Sequence, residues 1–366
     1  MAGIEGIMAQ YLVLFGIYSI IALSFNIEYG FGGIPNFGKV LFVSLGAYSA
    51  GGLVAYLVIK TGSPALHIPV HANGIPPYCT GAGTNVMQLA VAKEVISPYM
   101  LFLLFIIGLI IAAVIGAIAG IASSYPTLRL GGDFLAISLL ALGEIVRVWA
   151  YNSQFPACSF NGANGIPGPF AWLSPSTSNI LFAGLVLVIM VFIYFYTEYA
   201  TNSPWGRALK TVRDDEVASE VYGYNVPRLR LHALAVGSAI AAIGGALLVF
   251  YSSNVNANSF KPDLTFLVIV ATLLGGVANN IGILVGSAII AGIQVLLTPS
   301  SILALGISLP SNIGLALPYI NFMFMGVIII LVLLYKPEGL IPEKPLKTPI
   351  VKKAKILIHK KDEEQL

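Results

Sequence analysis

Two continuously apolar runs, Tyr99 to Ser123 and Ile180 to Tyr196, constrain this chain more than anything else in it. Each reaches the length that crosses a bilayer as a helix. In hydrocarbon every backbone polar group must be satisfied within the structure, so only helices and closed barrels can span. A barrel strand alternates apolar and polar residues over about ten positions, and neither run alternates. The composition agrees, with 57% hydrophobic residues, 10% charged residues and a mean hydropathy of +0.87. The predicted fold class is therefore all-α, a polytopic transmembrane helical bundle of about nine to ten spans with broken or half helices. The spans fall near residues 8–29, 42–59, 99–123, 134–151, 179–199, 232–252, 264–276, 281–297 and 317–335. The stretch 264–276 is short for a crossing unless it tilts or is a half-helix, and a tenth span fits within 253–276 or 30–45. No basic residue precedes the first apolar run, which reads as a retained span and not a signal peptide.

Charge distribution orients the bundle. Alternating the spans outward from a cytosolic 203–231 loop places fifteen basic residues inside and three, Lys60, Lys93 and Lys261, outside, with Arg147 within a span. The positive-inside rule then gives an external N-terminus and a basic cytoplasmic tail over 342–366, on a membrane domain of 1–341. Two extracytoplasmic loops result, 61–98 and 152–178. They hold the two cysteines, Cys79 and Cys158, on the oxidising side, where a disulfide between the loops and two independent thiols both fit. His67, His71 and Cys79 match no strong zinc spacing, so no metal site is expected.

The longest polar island, SPWGRALKTVRDDEVASEVYGYNVPRLRL at 203–231, lies between the two apolar halves. Asp214 and Asp215 suit the N-terminus of a two-turn helix, Glu216 its positive dipole end, and Gly223 a left-handed closure. Val217 and Val221 share an apolar face, with Ala218 beside them and Glu216 and Glu220 on an acidic edge. So short a helix needs a partner, either its own membrane domain or another protein. A plain solvated loop is the other reading.

Two glycine-broken segments, GGIPNFGKVLFVSLGAYSAG at 32–51 and GGVANNIGILVGSAIIAG at 275–292, each follow an inward-running span and precede an outward-running one. Irregular backbone at membrane depth is tolerated where it is buried in protein or lines a cavity. Gly33, Asn36, Phe37, Gly38, Gly275, Gly276, Asn279 and Asn280 are accordingly the candidates for a polar path, unless these glycines only turn the chain at the membrane surface. The ionisable residues within spans are Glu28, Glu144 and Arg147. Glu144 joins the pathway candidates, although it stands three residues before Arg147 on one helix face, placed for mutual neutralisation. Small residues at Gly108, Ala112, Gly116 and Gly120, and at Gly237, Ala241 and Gly245, form ridges for close helix approach.

Six stretches in order, GFGGIPNFGKVLFVSLGAY, LRLGGDFLAISLLALGEIVR, NGANGIPG, GRALKTVRDDEVASEVYGYNV with the following ALAVGSAIAAIGGALL, LLGGVANNIGILVGSA and KPEGLI, resemble the permease subunits of branched-chain amino acid ABC transporters, and among them the M-type subunit. The resemblance covers most of the chain. It implies a plasma-membrane importer subunit for branched-chain or related hydrophobic amino acids. Its implied partners are a second homologous permease subunit, two ABC ATPase subunits and an extracytoplasmic binding protein, with no nucleic acid. Arg213, Asp214, Asp215, Glu216, Ala218, Glu220 and Gly223 fall on the helix that resembles the family's ATPase-coupling helix. Asn36 and Lys39 stand where the family often has a small hydroxyl residue and a glutamine, and Ala278, Asn279 and Asn280 replace a commoner Gly-Ser/Thr turn.

No GxxxxGK[ST] pattern occurs, so the chain is expected to bind no cofactor itself, with ATP and magnesium on the partner ATPases. It is read as a transport subunit and not an enzyme, since His67, His71, His232 and His359 form no constellation with acids or cysteines. Urea or short-amide permeases of the same family remain an alternative. So does an ATP-independent secondary transporter or channel, against which the sparse intramembrane charge weighs.

Overall fold

A computed structural model describes residues 4–68, 75–127, 132–304 and 311–343. Arg129, His71, His359 and the lysine-rich tail from Lys344 onward lie outside the described residues. The architecture is all-α. The first helix, α1 (Ile4–Phe25), runs on into a π-helical turn over Asn26–Phe31. After a break at 32–38 come α2 (Lys39–Leu66), α3 (Gly81–Ala92), α4 (Pro98–Thr127), α5 (Gly132–Asn152) and α6 (Pro175–Asn202). The polar island supplies α7 (Pro204–Asp214) and α8 (Glu216–Val221), followed by α9 (Val226–Ser252) and α10 (Pro262–Gly275). A second break at 276–279 leads to α11 (Asn280–Leu296), then α12 (Pro299–Ala304) and α13 (Ser311–Tyr335).

Seven helical stretches among the described residues are long and apolar enough to cross a bilayer, and α11 and Tyr319–Val332 within α13 are shorter apolar helices. These nine stretches coincide with the nine predicted spans. The short 264–276 stretch gains length from a preceding 3₁₀ turn, giving an apolar segment of 19 residues over Ala257–Gly275.

Helices α2, α4 and α9 form the centre, and small residues let their backbones meet. A methyl at Gly116 of α4 would stand 2.5 Å from Ala242 Cβ on α9, one at Gly46 of α2 2.2 Å from the Ala242 carbonyl, and one at Gly245 of α9 1.9 Å from the Val43 carbonyl. Both predicted ridges are thus used, the α4 ridge against α9 and the α9 ridge against the π turn and α2. Without a water-driven hydrophobic force between spans, this close van der Waals packing holds the bundle together.

The 61–98 stretch is more structured than a Gly/Pro-rich loop. Helix α2 continues to Leu66, and α3 follows, capped by the Thr80 hydroxyl accepting from Gly83 N. Val86, Met87 and Ala90 of α3 are buried, and Ala90 Cβ and Val86 crowd the Cα of Gly62. Helical periodicity within a turn-rich composition was the signal that the loop reading passed over. At the same end Cys79 and Cys158 are joined in a disulfide, and a two-stranded antiparallel pair, β1 (Ala163–Asn164) and β2 (Asn254–Val255), aligns Ala163 with Val255. The disulfide, open on the sequence alone, is formed.

Candidate functional site

The opposite end of the bundle collects the predicted site residues. The π turn over Asn26–Phe31 adds a residue to the ladder, a feature frequent at functional sites, and it brings Glu28 inward with no exposure at all. Lys39, the first residue of α2, is equally buried, and its Nζ lies 2.8 Å from Glu28 Oε1. Asn36 Nδ2 donates to Glu28 Oε2 at 2.8 Å, while Asn36 Oδ1 accepts from Gly38 N at 3.1 Å. A buried charge is tolerated only when paired and hydrogen-bonded, and here Lys39 and Asn36 together satisfy one carboxylate. Gly237 of α9 leaves room for it, since a Cβ there would lie 2.2 Å from Glu28 Oε1. Lys39, counted from sequence as a loop cation, is therefore an interior residue. A carboxylate within a span needs a counter-charge, and that requirement was the available signal.

The second break packs on the first. Gly276 and Ala278 turn the chain with positive φ angles of 119° and 59°. Asn279 then caps α11, its Oδ1 accepting from Ile281 N and Gly282 N, and its Nδ2 donates to the Pro342 carbonyl at 3.0 Å. Asn280 Nδ2 donates to Glu198 Oε2 at 2.8 Å, and Asn280 Oδ1 accepts from Asn26 Nδ2 at 3.0 Å. Asn26 Oδ1 in turn accepts from Ala278 N at 2.9 Å. Asn26, absent from the sequence candidates, is thus the residue that ties the π turn leading into the first break to the second break. Gly275 is required by contact, because a Cβ would meet the Gly282 carbonyl at 2.1 Å. Gly38 abuts the Leu139 carbonyl of α5 in the same way, while Phe37 is half-buried.

Helix α7 is fastened to both breaks. Arg213 Nη1 donates to the Gly30 carbonyl at 2.7 Å and to Glu343 Oε2 at 3.0 Å, and Nε donates to Asp214 Oδ1 at 3.0 Å. Lys210 Nζ reaches Glu343 Oε1 at 2.8 Å. Burial disfavours the Arg213 charge, and the bonds to Asp214 and Glu343 outweigh it, raising the guanidinium above its ordinary value. Gly33, at φ 66°, lies directly under the Arg213 side chain. The segment carrying Glu343 is itself tied to the second break, with Leu340 N donating to Leu274 O and Ile341 N to Gly275 O.

Helix α8 starts later than the sequence reading has it: Asp215 alone caps it, while Arg213 and Asp214 end α7, because the chain turns at the extended Asp215. Asp215 Oδ1 accepts from Ala218 N at 2.9 Å, and Gly223 closes the helix at φ 85°. Tyr224 N donates to the Ser219 carbonyl, completing the C-terminal cap. Glu216 is anchored by Arg230 of α9 at 2.8 Å, and Glu220 is exposed. Val217, Val221 and Tyr222 stand 72%, 82% and 80% exposed, a rigidly held apolar face that nothing in this chain covers among the described residues.

Glu144 lies apart from these groups, on α5. Arg147 Nε donates to both of its carboxylate oxygens, at 3.0 and 2.9 Å, so the two residues do neutralise one another. Among the described residues no group of three or more His, Cys, Asp or Glu is placed to hold a metal ion.

A helical bundle with this many bilayer-length apolar helices, broken twice around one end, is a multi-pass membrane protein. The family model for the branched-chain amino acid transport system permease component matches residues 7–333, and the chain belongs to that family. It is 34% identical over 353 residues, 95% of this chain and 96% of the relative, to a probable branched-chain amino acid transport permease protein LivM of Methanocaldococcus jannaschii. A high-affinity branched-chain amino acid transport system permease protein LivM of Salmonella typhimurium is 25% identical over 255 residues, 63% of this chain and 56% of that protein. A probable LivH permease protein of M. jannaschii is 24% identical over 285 residues, 76% of each chain. No solved structure gives a significant match.

Proposed function

We propose that this chain is one permease subunit of an ATP-binding-cassette importer that moves branched-chain or related hydrophobic amino acids inward across the plasma membrane. Separate ATPase subunits drive it, a second homologous permease completes the pathway, and an extracytoplasmic binding protein delivers the substrate. The N-terminus faces outward and the tail faces the cytoplasm. The observation that carries this reading is α8, whose apolar face of Val217, Val221 and Tyr222 is exposed while its caps and the Glu216–Arg230 pair hold it rigid. An ATPase groove is the occupant the reading assigns to that face.

Movement of α8 passes to α7, and from Arg213 to Gly30 at one break and through Glu343 to the other. Rigid-body displacement of such a helix biases the bundle between two access states. Substitution of Gly223 by proline forbids the positive φ that closes α8, and Glu216→Arg reverses the charge facing Arg230. In proteoliposomes containing all subunits and the binding protein, the variant carrying both changes is expected to lose ATP-dependent leucine uptake and stimulated ATPase activity together, with assembly intact. Leucine flux that persists without any ATPase subunit would overturn the importer reading in favour of a secondary transporter.

A further inference from the structure

Helix α5 is the least covered of the long spans. Of its apolar stretch Phe134–Asn152 only 28% is buried, the smallest share among the seven helical stretches of bilayer length in the described residues. Its uncovered face is also the one that suits lipid worst. Helix α4 carries no ionisable residue, and the one on α6, Glu198, accepts a hydrogen bond from Asn280 of α11. Those two helices turn residues such as Ile110, Ile118, Phe192 and Phe195 outward. On α5 the Glu144 side chain is 38% exposed, with about 12–15 Å of the apolar stretch on either side of it. Ionisable groups within spans are expensive in hydrocarbon and face protein or water. Pairing with Arg147 cancels the charge but leaves the polar atoms uncovered.

The same face carries a regular seam. Phe134, Ile137, Ala141, Glu144, Val148 and Tyr151 follow one another at alternating steps of three and four, and apart from the half-exposed Glu144 all are exposed. That repeat lets one helix follow another over several turns, and the small Ala141 at mid-span permits close approach. We propose that this seam is the surface on which the second permease subunit packs. A LivM and a LivH permease of M. jannaschii both resemble this chain, so a second permease of the family is built on the same helices. Related subunits meet through corresponding surfaces about a two-fold axis, and the counterpart of α5 is the span that fits. The Glu144–Arg147 pair is neutral as a unit, so the partner span needs no opposite charge, only a close fit that keeps lipid from the pair. The proposal rests on the importer reading above and adds the face through which its two permeases join.

Both native cysteines are consumed in the Cys79–Cys158 bridge, so Ala141→Cys introduces a single free thiol on the seam, and Ile118→Cys and Phe192→Cys place one on the outward faces of α4 and α6. Each is labelled with benzophenone maleimide in the purified complex of all subunits and irradiated, and the products are identified by mass spectrometry. The Ala141 position is expected to cross-link to the second permease at least fivefold more than either control. Equal yields at the three positions, lipid adducts alone, or a product with a second copy of this chain overturns the proposal. In a second arm Ala141→Trp, which adds bulk to an exposed position, is expected to lower co-purification of the second permease at least fivefold while the ATPase subunits stay bound, and Phe192→Trp is expected to change neither. Full retention of the second permease by Ala141→Trp overturns the proposal. A complex active in ATP-driven leucine uptake whose Ala141 probe meets only lipid overturns the interface alone, whereas an active complex that contains no second permease overturns that part of the importer reading and the interface with it.

Discussion

Glu28 and Lys39 meet at 2.8 Å across the first chain break, and neither reaches the surface. The ten residues between them contain the end of the π turn and the whole of the break, so the ion pair closes a loop that carries Gly33, Asn36 and Gly38. The buried carboxylate at Glu28 calls for a cation, and Lys39 supplies it.

Removing one partner of this pair strands a buried charge, at a cost of about 3–5 kcal/mol. Lys39→Gln is therefore expected to lower the melting temperature of the purified complex sharply. The double variant Glu28→Gln/Lys39→Gln, which leaves two neutral groups able to hydrogen-bond, recovers most of the loss. Equal destabilisation by the single and double variants would show that the pair contributes only shape.

Arg213 joins α7 to Gly30 by a direct bond and to Glu343 by a charge-assisted one. Lysine keeps the charge without the planar fork, so Arg213→Lys is expected to preserve assembly while lowering uptake per ATP hydrolysed by about tenfold, equivalent to about 1.4 kcal/mol of coupling. Measuring leucine uptake and ATPase activity in the same vesicles gives that ratio. An unchanged ratio removes Arg213 from the transmission path.

On α8, Val217 and Val221 touch little of their own chain, so Val217→Asp and Val221→Asp are expected to alter folding stability by no more than about 0.5 kcal/mol. Their effect should fall on ATPase association, read as loss of the ATPase subunits on co-purification. Asp215→Ala removes the cap and costs about 1 kcal/mol within the helix, so it is expected to weaken association less than either charged variant.

The Cys79–Cys158 bridge ties the α3 region to the segment after α5 across 79 residues of sequence. Disulfides of this kind contribute about 2–4 kcal/mol. Cys79→Ser/Cys158→Ser is expected to leave the bundle folded while hastening protease cleavage between α3 and α4. Unchanged cleavage kinetics would mean that packing of Val86, Met87 and Ala90 holds α3 without the bridge.

What the sequence determined by itself is what hydrocarbon imposes locally. A run such as Tyr99–Ser123 has to be helical wherever it sits, and the caps of α8 depend on neighbours within a turn, so Asp215 and Gly223 were legible from their own stretch. Asn279 and Asn280 were visible beside glycines, yet their partners were not, because Pro342 and Asn26 lie 63 and 254 residues away. Asn26 itself looked like an ordinary residue of a first span. Lys39 looked like a loop cation until the fold placed it on Glu28, and Glu144 was an ion-pair member with no sign of which face it occupied. The tertiary structure decided these points for one physical reason. A polar group's role is set by what lies within about 3 Å of it, and in this bundle those neighbours arrive from helices far apart in the chain.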